Sequence, residues 1–104
     1  MFKARIEVTL KSKILDPQGK AIESSLRNLG FTKLSKVRTG KNIDIVVDET
    51  EVDKAVELAT SACTKLLANP VTEEYEGELF DASGKSVAKF SSPNSARSDA
   101  KVKS

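Results

Sequence analysis

Two segments carry the residues of a phosphate-cradling loop without its spacing. Ser83-Gly84-Lys85-Ser86 contains a Gly-Lys-Ser core, but position 79, where the leading glycine belongs, is Leu79. Arg38-Thr39-Gly40-Lys41 has Ser35 and Asn42 at the corresponding positions. Neither reads as a link between a strand and a helix whose N-terminus could receive phosphate. The plain readings are a flexible tail and a hairpin turn. Glu73, Glu74, Glu76 and Glu78 could offer oxygen ligands to a hard cation. The same run suits a solvated strand edge protected against strand addition. Cys63 falls on an apolar helical stripe and reads as a buried thiol. The chain contains no histidine. That removes imidazole general acid–base chemistry, Ser-His and Cys-His nucleophile pairs and most zinc sites. The expectation is no catalytic residue, no metal site and no cofactor held by this chain.

Composition frames the scaffold. With 104 residues, 38% hydrophobic and 31% charged, the chain has the size and make-up of one globular domain. No apolar run approaches the roughly 18 residues that span a bilayer. The start, Met1-Phe2-Lys3-Ala4-Arg5, has no apolar segment of the secretory kind. A single cysteine cannot form an internal disulfide, so a cytoplasmic location is expected. The net charge is +2, yet residues 81–104 hold five Lys/Arg and two acids. The remaining 80 residues are therefore net negative by one, which argues against a nucleic-acid partner.

Residues 2–10 alternate: Phe2, Ala4, Ile6, Val8 and Leu10 on one side, Lys3, Arg5, Glu7 and Thr9 on the other. That predicts a half-buried strand. Asp16-Pro17 predicts a capped helix start, Ile22, Leu26 and Leu29 its apolar stripe, and Gly30 its end, so a helix is expected over 17–29. Leu34 to Thr39 and Asn42 to Asp48 read as strands of a hairpin turning at Gly40. Thr50 reads as the cap of a second helix ending near Ala68. Val71 to Leu79 reads as a fourth strand at a sheet edge. The order β-α-β-β-α-β predicts an α+β, ferredoxin-like domain over 1–80: a four-stranded antiparallel sheet with two helices on one face. RNA-binding domains share this plan, but strands 4–10 and 42–48 lack their aromatic residues. Residues 81–104 are rich in serine and lysine, lack apolar periodicity, and are expected to be a disordered tail.

Two segments are unusual. In Leu15-Asp16-Pro17-Gln18-Gly19 a cap explains Asp16 and Pro17 but not Gly19, which costs about 1 kcal/mol inside a helix. Close approach by another backbone, or a frayed first turn, would explain it. Arg38, Gly40 and Lys41 form the tip of the expected hairpin. Either segment is read as a cap and a turn, or as a docking element for a partner.

Val8-Thr9-Leu10-Lys11, Ile14 to Gly19, Leu29-Gly30, Val37 to Lys41 and Leu67-Ala68-Asn69-Pro70-Val71 together resemble the PurS family, the small subunit of phosphoribosylformylglycinamidine synthase. The resemblance covers residues 2–80. It implies a homodimer or dimer of dimers, in complex with a large synthase subunit and a glutaminase subunit of purine biosynthesis. It implies a non-catalytic role bridging those subunits and assisting ammonia transfer, with ATP and Mg bound by the synthase. Asp16, Pro17, Gln18, Gly19, Arg38, Gly40 and Lys41 are the expected partner-binding residues. The alternative is a ferredoxin-like regulatory module of the ACT type binding a small ligand. An acylphosphatase-type enzyme would need an Arg-bearing phosphate loop, and Lys11-Ser12-Lys13 does not supply it.

Overall fold

The computed structural model describes residues 1–93. Strand β1 (Phe2–Leu10) leads through α1 (Pro17–Asn28) to β2 (Gly40–Val47). Helix α2 (Val52–Ala62), extended by one π-helical turn over Cys63–Leu67, leads to β3 (Glu73–Phe80) and β4 (Ser86–Ser91). All four strands form one antiparallel sheet in the order β2-β1-β3-β4.

The alternation of β1 sets the core. Ala4, Ile6 and Val8 lie at 0–1% exposure beneath α2, which contributes Ala55 and Ala59, and its π-helical extension, which contributes Cys63. Leu79 and Tyr75 of β3 complete the buried layer, with Ile43, Ile45, Val87 and Phe90 packed half-buried around it. Gly77 sits opposite Phe90, and a Cβ there would collide with the Phe90 ring. The glycine lets the ring lie across β3 toward Tyr75 (centroids 6.5 Å apart).

The α+β class and the four-stranded antiparallel sheet stand as the sequence implies, but the strands are assigned differently. Residues 34–39 form no strand. The Val37 N–H is donated to the Glu23 carboxylate and the Thr39 N–H to Asp16, so side chains of the α1 region take the donors a ladder would need. Residues 73–80 lie inside the sheet, not at its edge, because β4 covers them. The boundary drawn at residue 80 therefore cuts a hairpin. Asp81 organises its turn by accepting from the Ser83 and Lys85 N–H groups (both 3.0 Å), while Gly84 takes φ +88°. The register shift at Leu79/Phe80 breaks the alternation that would have marked β4. The rest of the expected tail, 94–104, lies outside the described residues. Thr50 does not cap α2; the cap position is Glu51, which makes no side-chain capping bond.

Helix α1 departs most from the expected plan. Its only buried residue is Gly19, and none of its side chains joins the core. It stands at the end of the sheet where β1 gives way to β2, not over the sheet beside α2. The principal extents of the molecule are 50 × 30 × 24 Å.

Candidate functional site

Asp16 is the centre of a polar clasp at that end. It is only 3% exposed. Its Oδ1 accepts from the Gly19 N–H at 2.8 Å, the N-cap bond that Asp16-Pro17 implies. Its Oδ2 accepts from the Thr39 N–H at 2.7 Å and the Thr39 hydroxyl at 2.9 Å. The backbone donors of Gly19 and then Thr39 hold the Asp16 carboxyl below its ordinary pKa, with burial opposing them. One carboxylate thus starts α1 and ties it to a loop more than twenty residues away.

Gly19 has its reason in the same place. A Cβ on it would run into the carbonyl oxygen of Val37. The loop backbone passes too close to the first turn of α1 for any side chain. One turn on, Glu23 accepts from the Val37 N–H and pairs with Arg27 at 3.1 Å, and the Val37 donor leads in lowering its pKa.

The clasp is joined to the sheet through Arg38 and Lys11. The Arg38 guanidinium donates to the carbonyls of Lys11 (2.9 Å) and Leu10 (3.4 Å). The Lys11 ammonium donates to the Pro70 carbonyl at 2.8 Å, and the Lys11 N–H to Thr72 O at 2.8 Å. Gly40 opens β2 against β1, so close that a Cβ would press on Thr9 and the Val8 carbonyl. Segments Val8–Lys11, Leu15–Gly19, Val37–Lys41 and Leu67–Val71 therefore meet in one network.

The seven residues singled out from sequence divide accordingly. Asp16, Gly19, Arg38 and Gly40 are used inside the chain. Pro17, Gln18 and Lys41 are exposed around them. Thr39, Lys11 and Glu23 belong to the same network and were not singled out. Nothing in the local pattern marks Glu23, whose partner is a backbone N–H. Beside the clasp, Arg38, Thr39, Gly40 and Lys41 line an open groove of ≈ 440 Å³ with Glu7, Thr9 and Asn42.

No reactive pair emerges from this geometry. Among the described residues no three His, Cys, Asp or Glu side chains gather as a metal site. Cys63 is buried, and burial pushes its thiol up to about 11, so it is held as the unreactive acid form. No described helix is long and apolar enough to cross a membrane. The arrangement is a braced platform: polar bonds inside, a few exposed side chains outside.

Comparison with known proteins gives this platform a context. The family model "PurS: Phosphoribosylformylglycinamidine (FGAM) synthase" matches residues 3–81. The phosphoribosylformylglycinamidine synthase subunit PurS of Methanocaldococcus jannaschii is 41% identical over 76 residues, 73% of this chain and 92% of that protein. The crystal structure of Bacillus subtilis PurS superposes with TM-score 0.70 at 34% identity, covering 78% of this chain and 100% of that one. A chain in the PurLQS structure from Thermotoga maritima does so with TM-score 0.70 at 40% identity, covering 76% and 96%.

Proposed function

The chain belongs to the PurS family and is a subunit of phosphoribosylformylglycinamidine synthase in purine biosynthesis; we propose that within that enzyme it is the non-catalytic adaptor between the synthase and glutaminase subunits. Glutamine hydrolysis and amidine formation take place in separate active sites. Ammonia released in one must reach the other before it is lost to water. An adaptor that fixes the two sites relative to each other raises the effective concentration of ammonia.

The observation that carries this reading is that four of the five signature segments meet in the network around the Asp16–Thr39 clasp and Lys11. Such bracing suits a surface that must present Pro17, Gln18 and Lys41 in a fixed geometry. The PurLQS structure from Thermotoga maritima, with its chain like this one, supports assembly with both other subunits. In this reading ATP and Mg²⁺ are held by the synthase subunit, and the complex works in the cytoplasm, where the unpaired Cys63 stays reduced.

Reconstitution tests it. The three subunits are mixed with and without this chain, and product is followed with glutamine or with free ammonium as nitrogen source. An adaptor is required for the glutamine-driven reaction far more than for the ammonium-driven one. Equal loss of both on omitting the chain would reject the role.

A further inference from the structure

Charge is divided sharply between two regions of the described chain. Residues 11–39 leave the sheet at the end of β1 and return at the start of β2, where Thr9 and Gly40 are register partners. They carry seven Lys/Arg against two acids, a net of +5. The rest of residues 1–93 carries seven Lys/Arg against twelve acids, a net of −5. A protrusion of one sign stands on a body of the other.

The two acids of the protrusion are used internally. Asp16 is 3% exposed and gives both oxygens to Gly19 and Thr39. Glu23 accepts from the Val37 N–H and pairs with Arg27. Arg38 and Lys11 are taken up by the Leu10, Lys11 and Pro70 carbonyls. The charge left on the outside is lysine. Lys13, Lys20, Lys33 and Lys36 are exposed, and among the described residues no salt bridge ends on any of them. The clasp bonds to Val37 and Thr39 hold the chain directly after Lys36, so these charges stand on a braced segment.

We propose that this lysine face is the docking surface for an acidic surface segment of another subunit of the synthase, with assembly driven by complementary charge. The inference rests on the adaptor reading and names the chemistry of the partner it needs. Single surface lysines contribute little in water. A cluster of one sign speeds encounter with an opposite patch and rejects partners of like charge. Bracing reduces the ordering entropy lost on contact. The net −5 of the body repels a long polyanion such as nucleic acid, which would have to cross both regions. A compact acidic patch on a protein meets the lysines alone.

Assembly of the full chain with the other two subunits, in glutamine, ATP and Mg²⁺, is followed by light scattering on a sizing column. Affinity should fall roughly 10-fold or more between about 50 and 500 mM sodium chloride. Lys33→Glu/Lys36→Gly removes the charge without stressing the loop, because residue 36 has φ +57° and glycine suits it. That variant should assemble about 10–100-fold more weakly, with an unchanged thermal midpoint and an unchanged mass of the isolated chain. Lys85→Glu/Lys89→Gln makes the same change of charge on the β4 hairpin and should assemble as the wild type does. Assembly that ignores salt, or a Lys33→Glu/Lys36→Gly chain that assembles normally, would overturn the proposal and leave the adaptor reading standing. So would an altered mass of the isolated variant, which would assign the lysines to self-association, or equal weakening by Lys85→Glu/Lys89→Gln. Tighter binding of the wild type to a single-stranded oligonucleotide or to phosphatidylserine vesicles than to the subunits would also overturn it. A wild-type chain that assembles at no salt concentration would reject the adaptor reading and this proposal together.

Discussion

Asp16 and Thr39 are joined twice through one carboxylate oxygen: Oδ2 of Asp16 accepts both the Thr39 N–H at 2.7 Å and the Thr39 hydroxyl at 2.9 Å. The other oxygen caps α1 through the Gly19 N–H. A helix terminus and a distant loop therefore depend on one side chain, and its removal should release both.

Asp16→Ala is expected to lower the thermal midpoint by several degrees and to reduce helical signal, because an orphaned Thr39 N–H accompanies the lost cap. Asp16→Asn keeps an acceptor and should fall between. Thermal unfolding by circular dichroism ranks the three. An Asp16→Ala protein as stable as the wild type would show that the clasp contributes nothing.

Gly19→Ala separates propensity from packing. Alanine gains about 1 kcal/mol in a helix interior, yet here its methyl meets the Val37 carbonyl, a backbone atom that cannot rotate aside. The clash should dominate, with a net loss of about 1–3 kcal/mol in denaturant unfolding. Gly77→Ala meets an aromatic ring instead and should cost less. A stabilised Gly19→Ala chain would contradict the close approach.

The pH dependence follows from Asp16, Glu23, Glu49 and Asp81, whose carboxyls are all held below their ordinary values, chiefly by donors that favour the charged form. A folded pKa below the unfolded one gives stability that is full above the unfolded pKa. It is lost as pH falls through the folded value. Stability should therefore decline below about pH 4 and stay level between pH 6 and 8, since the chain has no histidine. Urea midpoints from pH 3 to 8 check this, and Asp16→Asn should flatten the acid limb.

Cys63 should resist thiol reagents at pH 8 until the protein is unfolded, because burial holds it as the neutral thiol. Cys63→Ser places a hydroxyl in the apolar core, costing about 1–3 kcal/mol. Labelling of the native protein at the rate of free cysteine would contradict the packing.

Lys41→Ala and Gln18→Ala touch exposed side chains and should weaken assembly with the other two subunits while leaving the midpoint unchanged. Arg38→Ala should do both, because its guanidinium is bonded to the Leu10 and Lys11 carbonyls. Unfolding curves read beside co-elution on a sizing column separate the two effects. Full assembly by all three variants would remove this end of the molecule as a docking surface.

Local chemistry carried much of this protein in its sequence. The alternation in 2–10 determined β1 and the buried face of the sheet, because side chains on a strand repeat every two residues. Asp16-Pro17 fixed the start of α1, and Gly30 with φ +99° its end. Gly19 marked either a close approach or a frayed first turn, and the Val37 carbonyl decides for the close approach. The tertiary structure alone decided what lies across from each of these. Residues 34–39 have the composition of a strand but give their N–H groups to Asp16 and Glu23, a competition no local pattern records. Residues 86–91 have the composition of a tail but pair with β3, because a turn built by Asp81 brings them alongside. The apolar stripe of α1 was legible as 22, 26, 29; that its own sheet leaves it uncovered was not. Periodicity says that a face must be buried, while only the packed chain shows whether the surface that buries it is its own.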